Sequence, residues 1–389
     1  MMKTWSDLPP ELVGAIAERL TSHADLARFR SVCPSWRSAS ADQAARRRVV
    51  PLLLLLSQHG SRRSRRVWHP ADDTLGEIPL PAGRGRSFLF GSTRGWTLGV
   101  SADLSSATLV DPYTGASADL PPLPSSFRRG DGSGGGRVVI PRDLVWDWSP
   151  RAVVVSPGKG AIFCRPGDGS WSSPVAAAAV DARVTSITYC DGKFYLFDGA
   201  TRKTLAVDAA TFSDVAVIEP PPQLDQEMRA WPSWRRYEAS LAVDVSSSDE
   251  LLLLVRTQLL HPVCSGWTMD KKFFKAFRRS PHGGGGEIWS KVAEIGDRAV
   301  LVDHFRAFCV EVNGRNGLRR NCVYVASSYG EANDDYGMDV YGKYTVTVLD
   351  LANLETVELS RGRHGNLIMS RAANSGNGRL GPCRTSRLV

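Results

Sequence analysis

Three things are missing from this chain of 389 residues: a Cys-x-x-Cys pair, an Asn-x-Ser/Thr sequon and an apolar run long enough to span a bilayer. Its seven cysteines (Cys33, Cys164, Cys190, Cys264, Cys309, Cys322 and Cys383) are odd in number and scattered. That argues against a disulfide framework and for reduced thiols, so the cytoplasm, the nucleus or both are the expected locations. Leu52–Leu56 is apolar, but a membrane helix needs about 20 such residues. The N-terminus is amphipathic and acidic by Asp7, unlike a secretory signal. No membrane partner is expected.

Catalytic and metal signatures are equally scarce. Gly132–Gly136, Gly283–Gly286 and Ser156–Gly160 lack the Gly-Lys-Ser/Thr that would set a lysine and a magnesium ligand on phosphates. They read as flexible inter-strand loops. His261 with Cys264, and His304 with Cys309, offer two donors each, where a structural zinc takes four. Glu331, Asp334, Asp335 and Asp339 cluster beside Tyr336 and Tyr341 without EF-hand spacing, and read as an acidic loop. No cofactor or metal is expected. The acids and histidines form no convergent set, so a non-catalytic protein is expected.

Hydrophobic residues make up 42% of the chain and charged residues 23%, as in ordinary globular domains. The net charge of +8 is uneven. Residues 45–66 carry seven arginines and no acid, and residues 361–389 carry six and no acid. Taking these away leaves −5 for the remainder, so the large middle part is mildly acidic. Nucleic-acid binding wants a basic face on the folded domain and is not the expected activity. The arginine clusters read as a solvated connection and a disordered tail, with a nuclear address as the alternative.

The opening segment is the most informative. Pro9 and Pro10 suit a helix start, where a missing N–H costs nothing, and Asp7 and Glu11 place negative charge at its positive end. Leu12, Ile16 and Leu20 recur at i, i+4 and i+8, with Val13 and Ala17 widening the stripe. Ser22–Asp25 reads as a weak capping box. Leu26, Phe29, Val32 and Cys33 share one face of a second helix, while Arg28 and Arg30 can stay in water. Pro34 stops that helix and opens a third, which presents Trp36. Three short helices make a small core, so the stripe either packs on the protein's own large domain or is completed by another protein.

Leu8-Pro9, Leu12, Ile16, Leu20, Leu26, Val32, Cys33 and Trp36 together resemble the F-box, the adaptor-binding motif of cullin–RING ubiquitin ligases. The resemblance implies that these nine positions dock on a Skp adaptor as aliphatic anchors in a groove. Pro34 departs from the family pattern, which more often has a basic or polar residue there.

From Val49 to Ser360 the sequence reads as short strands separated by turns, with helical periodicity nearly absent. Leu109-Val110-Asp111-Pro112-Tyr113-Thr114-Gly115 followed by Leu120-Pro121-Pro122-Leu123 has a skeleton that recurs. Val67–Pro70 with Ile78–Pro81, Ala206–Ala209 with Val217-Ile218, and Val348–Leu351 with Val357–Leu359 repeat it. In each, an apolar strand runs into a polar turn, which aspartate opens through its side chain in three of the four. The fold class expected is mainly β with a small α N-terminal module: a three-helix F-box followed by a six- or seven-bladed β-propeller. A pair of packed β-sandwiches is the alternative. The segments expected are 1–44 (F-box), 45–66 (basic connection including a first strand), 67–360 (propeller) and 361–389 (basic disordered tail).

Gly91–Leu98 and Asp111–Leu123 also resemble the Gly-Trp-Leu and Asn-Pro-aromatic-Thr-Gly…Leu-Pro-Pro-Leu signatures of the plant F-box-associated propeller known as domain of unknown function 295. Trp289…Val302 and Gly317–Tyr324 are similar to its C-terminal blades. The two resemblances imply a substrate receptor of an SCF-type E3 ligase: Skp adaptor and cullin–RING at one end, an unidentified target protein at the other. A non-degradative F-box scaffold is the second reading, and a propeller enzyme or sugar-binding module a third. Trp231, Trp234, Arg235 and Tyr237 are the candidate target-binding group, because exposed Trp, Tyr and Arg dominate interfaces. Trp146, Trp148 and Trp267 also fall in or beside loop-like stretches. All these tryptophans could instead fill blade cores.

Overall fold

The computed structural model describes residues 5–20, 23–40, 53–54, 64–69, 74–79, 87–91, 96–101, 104–110, 117–127, 129–130, 138–139, 144–173, 181–229, 235–244, 250–260, 267–279, 289–303, 306–312, 318–329, 343–361 and 367–371. A 3₁₀ turn (Trp5–Asp7) leads into α1 (Pro10–Arg19), α2 (His23–Ser31) and α3 (Pro34–Ala39). Pro9 occupies the N-cap of α1 and Pro10 its first turn. The third helix also forms where the sequence places it, with Pro34 in its first turn.

Most of the remaining described residues lie in antiparallel sheet. Its units are β1 (Leu53–Leu54), β2 (Ser64–His69) and β3 (Thr74–Pro79); β4 (Ser87–Gly91), β5 (Thr97–Ser101), β6 (Ala107–Val110) and β7 (Ser117–Leu120); and the short pair β8 (Arg129–Gly130) and β9 (Val138–Val139). Next come β10 (Val145–Trp148), β11 (Val153–Ser156) and β12 (Ile162–Cys164); and β13 (Val184–Cys190), β14 (Lys193–Asp198), β15 (Thr204–Asp208) and β16 (Asp214–Ile218). After α4 (Pro222–Arg229) come β17 (Arg235–Asp244), β18 (Glu250–Leu260), β19 (Trp267–Arg279) and β20 (Trp289–Val292). The hairpin β21 (Arg298–Asp303) and β22 (Arg306–Glu311) precedes β23 (Cys322–Tyr329), β24 (Lys343–Asp350), β25 (Thr356–Arg361) and β26 (Leu367–Arg371). That hairpin pairs in parallel with β17 on one side and β23 on the other, joining two meanders into a ten-stranded sheet.

The meanders are blades of a β-propeller, and the central ones share a core with both of their neighbours. Along β10–β12, Trp146, Val153, Val155 and Cys164 pack with Leu98 and Leu109 of the preceding blade. The alternate residues Val145, Val154 and Phe163 pack with Ile187, Phe194 and Leu196 of the following one. Leu251, Leu253 and Val255 likewise face β13–β16, and Leu252 and Leu254 face Val300 and Cys309. Burial on both faces explains why Leu251–Val255 is a continuous apolar run instead of an alternating one. Polar side chains tie the blades together. Ser186 Oγ accepts the Leu241 N–H at 2.9 Å, Asp147 Oδ2 accepts that of Tyr189 at 2.8 Å, and the Trp289 indole donates to the Glu219 carbonyl at 2.9 Å.

The recurrent turn is built as the sequence suggests at two described sites. Asp208 Oδ1 accepts N–H bonds from Ala210 and Thr211, and Asp350 Oδ1 one from Ala352. In both, the residue four positions on (Phe212, φ 59°; Leu354, φ 57°) is left-handed and donates back to the aspartate carbonyl. Stacking of Phe212 on Phe163 at 5.0 Å, with Arg165 above it at 4.6 Å, offsets the strain. The Asp111–Gly115 and Pro70 turns lie outside the described residues.

Trp146 fills a blade core, the alternative raised for these tryptophans: it lies fully buried on β10, and Trp148 on the same strand meets Trp96 edge-on at 5.7 Å. Trp267 is the first residue of β19. Three expectations are corrected. The large domain contains a helix, α4, whose Leu224 plugs the core between two blades. The tail expected to be disordered from residue 361 includes β26, paired with β25. Ser156–Gly160 is an ordered turn and not a flexible loop: Ser156 Oγ donates to the Gly160 carbonyl and accepts the Gly158 N–H, with both glycines at positive φ. The glycine runs 132–136 and 283–286, His261, Cys264, His304 and the acidic cluster 331–339 lie outside the described residues; Cys309 is buried on β22. Among the described residues no group of three His, Cys, Asp or Glu side chains is placed to hold a metal, and no helix is long and apolar enough to cross a membrane.

Candidate functional site

The apolar stripe of α1 divides between two jobs. Val13 and Ala17 point inward and are buried with Leu26 and Phe29; Leu8, Leu20, Trp36 and Ala39 pack around this small core. One residue earlier on each turn, Leu12 and Ile16 face solvent at 52% and 38% exposure. Spaced by four residues, they share one helix face. Val32, between α2 and α3, is 58% exposed, and Trp5 is 75% exposed. Large apolar groups this open make Leu12, Ile16, Val32 and Trp5 the candidate contact residues of the module.

The α2–α3 corner fixes the rest of the site. Cys33 is extended (φ −158°, ψ 163°) and caps α3, its Sγ accepting the Trp36 N–H at 3.4 Å. The Trp36 ring lies 4.4 Å from that of Phe29, and its indole N–H donates to the Trp5 carbonyl at 3.2 Å. Arg37 Nε donates to the Arg30 carbonyl at 3.3 Å, and Ser40, fully buried, donates back to the Trp36 carbonyl at 2.6 Å. Trp36 and Leu26 therefore hold the module together, whereas Leu12, Ile16 and Val32 are presented outward. Leu26, expected as a docking anchor, is 4% exposed and sits inside the helical core. Leu8, Leu20, Cys33 and Trp36 are half-buried, and Pro9 is exposed. Trp5 is not among the anchors expected from sequence; its place one turn before Leu8-Pro9 is the available signal.

The candidate target-binding group is not brought together in the same detail. Trp231 and Trp234 lie outside the described residues; Arg235 and Tyr237 fall on β17, opposite Leu259 and Thr257.

Within the propeller, titratable side chains are held by packing. Burial pushes the Cys164 thiol up to about 12, with Asp168 adding to the effect, and burial also raises Cys322, Tyr195 and Tyr324. Asp208 is lowered by the bonds it accepts from Thr211 and Ala210. Arg256 and Glu238 stand directly opposite on β18 and β17. The buried guanidinium donates from both Nε and Nη2 to one carboxylate oxygen. These groups are paired or shielded, an arrangement that stabilises blades.

The family model for the KIB1-4 beta-propeller matches residues 67–345. The chain belongs to that family. An F-box-like model matches residues 5–51, so the three helices are an F-box-like module. Over most of its length the chain is similar to the Arabidopsis thaliana putative F-box protein At5g55150, 21% identical over 94% of this chain and 96% of that one. It is also similar to the Arabidopsis F-box protein At2g05970, 23% identical over 86% and 88%. Over a shorter stretch the identity is higher: the Arabidopsis F-box protein At2g17690 is 58% identical over 40 residues, 10% of each chain. Among solved structures, a quinonprotein alcohol dehydrogenase-like protein from Bacteroides thetaiotaomicron has a TM-score of 0.31 at 8% identity, covering 80% of this chain and 76% of that one. A score so low carries no argument.

Proposed function

We propose that this protein is the substrate receptor of an SCF-type ubiquitin ligase. The F-box-like helices dock on a Skp adaptor, which links to cullin–RING, and the propeller holds a target protein. The observation that carries this reading is the split stripe of α1. Val13 and Ala17 fill the module's own core, while Leu12 and Ile16, with Val32, stay open to solvent. Helix-in-groove recognition needs anchors of that kind at that spacing. The receptor does no bond chemistry itself; it raises the local concentration of target beside the charged ubiquitin carrier.

The experiment is capture of purified Skp adaptor and cullin by the full chain and by the triple variant Leu12→Ala, Ile16→Ala, Val32→Ala. Loss of adaptor and cullin together in the variant, with its fold intact, is the expected result; undiminished capture refutes the reading. Proteasome inhibition then separates a ligase receptor, whose targets accumulate, from a non-degradative scaffold, whose partners do not.

A further inference from the structure

We infer that Ser31 is a phosphorylation site that switches adaptor docking off, an inference that rests on the docking role proposed above. Ser31 is the last residue of α2 and follows Arg28-Phe29-Arg30, which places arginine at −3 and −1. Kinases that read basic residues use that arrangement to hold a serine at their active site. The Arg-x-x-Ser/Thr pattern recurs at Ser22 after Arg19, Ser40 after Arg37, Ser87 after Arg84, Thr97 after Arg94 and Ser186 after Arg183. Three of those hydroxyls are buried: Ser40 and Ser186 at 0% exposure, Thr97 at 6% with its hydroxyl bonded to the Val110 carbonyl. Ser87 is held in the sheet, opposite Ser101 on β5, and Ser22 lies outside the described residues. Ser31 is exposed and at a helix end.

Local backbone geometry favours access. The chain leaves α2 through a 3₁₀-type bond from the Val32 N–H to the Phe29 carbonyl at 3.3 Å and is extended by Cys33. A kinase needs its substrate extended, so the last turn of α2 has to fray and Phe29 has to leave the module's core, an opening within reach of so small a core. In the transfer, Ser31 Oγ attacks the γ-phosphorus of a nucleoside triphosphate, the bond to the β-phosphate oxygen breaks, the nucleoside diphosphate leaves, and the hydroxyl proton is released.

The consequence follows from where the charge lands. The Ser31 hydroxyl now donates to the Arg28 carbonyl at 2.6 Å, at the negative end of α2. Phosphorylation replaces that donor with a group of about −2 charge beside exposed carbonyls, which the helix dipole opposes. It also places the dianion next to Val32, so an adaptor groove closing over Val32 must desolvate it. Arg28 and Arg30 can partly neutralise the phosphate but cannot restore an apolar edge.

The test uses the full chain with phosphoserine installed at position 31 by genetic-code expansion, alongside the unmodified chain and Ser31→Ala. Affinity for purified Skp adaptor is measured by calorimetry. Both unmodified chains are also incubated with ATP and a purified kinase that reads arginine at −3, and the sites are mapped by mass spectrometry. Expected are labelling of Ser31 in the native protein, at least a tenfold loss of affinity with phosphoserine, and affinity of Ser31→Ala equal to the unmodified chain. An affinity unchanged by phosphoserine, or no labelling of Ser31, overturns the inference while leaving the docking role standing. Failure of the unmodified chain to bind adaptor overturns the docking role itself.

Discussion

Truncating the outward anchors should separate binding from folding. Complete burial of a Leu, Ile or Val side chain is worth about 1.5–3 kcal/mol. Leu12, Ile16 and Val32 keep 52%, 38% and 58% of their surface exposed, so roughly half of that gain is still available to a partner. This amounts to about 1 kcal/mol for each residue, or about 3 kcal/mol for the triple alanine variant, roughly a hundredfold in affinity. The half already buried is lost to the module as well, but alanine's higher helix propensity at positions 12 and 16 returns part of it, leaving a cost of about 0.5–1 kcal/mol per site. Val13→Ala and Leu26→Ala act in the opposite sense. Both residues lie in a core built on Val13, Ala17, Leu26 and Phe29, and removing buried aliphatic volume costs about 1–4 kcal/mol, enough to melt so small a unit. Calorimetric titration with purified adaptor, paired with thermal unfolding of the same samples, reads both quantities. If the triple variant loses stability in proportion to its affinity, the outward row is part of the fold and the reasoning is wrong.

Three further outcomes can be checked independently. Gly14→Ala should be tolerated or stabilising by up to about 1 kcal/mol, since the added Cβ meets only the Ala39 carbonyl at 3.8 Å; Gly199→Ala should cost about 1–3 kcal/mol, because its Cβ would fall 2.7 Å from Thr185 Cγ2. Thermal unfolding of the two variants decides. Ser186→Ala should cost about 1–3 kcal/mol by stranding the buried Leu241 N–H, measured by urea denaturation of the full chain. Stability should also fall on both sides of neutral pH, followed by thermal unfolding across the range. Cys164, raised from 9.0 to about 12, with Cys322, Tyr195 and Tyr324 raised as well, contributes fully below the unfolded pKa and loses that contribution as pH climbs from about 9 toward 12. Asp208, lowered in the fold, contributes above about pH 4 and loses it as pH drops further, a limb that Asp208→Asn should remove.

How much of this was readable in advance depends on which physical signal each residue carries. Turn chemistry is local, so Asp208 and Asp350 announced their turns, and Pro9, Pro10 and Pro34 the helix starts. Strand β10 was hidden because Val145-Trp146-Asp147-Trp148 carries a charge in its middle. That carboxylate is buried and accepts the Tyr189 N–H from the next blade, a partner 42 positions away in sequence. Helix α4 is short and polar except for Leu224 and Met228, leaving almost no periodicity to detect. β26 sits in an arginine-rich stretch that composition assigns to a tail, and only pairing with β25 makes it a strand.

The F-box-like helices expose a different limit, and it bears on function. Leu12-Val13 and Ile16-Ala17 are adjacent pairs, and a helix wheel shows a broad stripe without saying which edge goes to the core. The decision is made by what α3 can accept. Gly14 faces the Ala39 carbonyl and Trp36 stacks on Phe29, and the space left between the helices holds Val13 and Ala17. The larger Leu12 and Ile16 are left on the open flank. At its two adjacent pairs α1 gives the smaller side chains, Val13 and Ala17, to the core beside Leu26 and Phe29, and turns the larger Leu12 and Ile16 outward. Under the docking role proposed above, that allocation makes Val13→Leu with Leu12→Ala the sharpest paired variant. By overfilling the interior and clearing the flank, the pair should shift the module toward self-packing and cost it adaptor affinity in the same calorimetric titration, a trade that neither residue's identity alone would reveal.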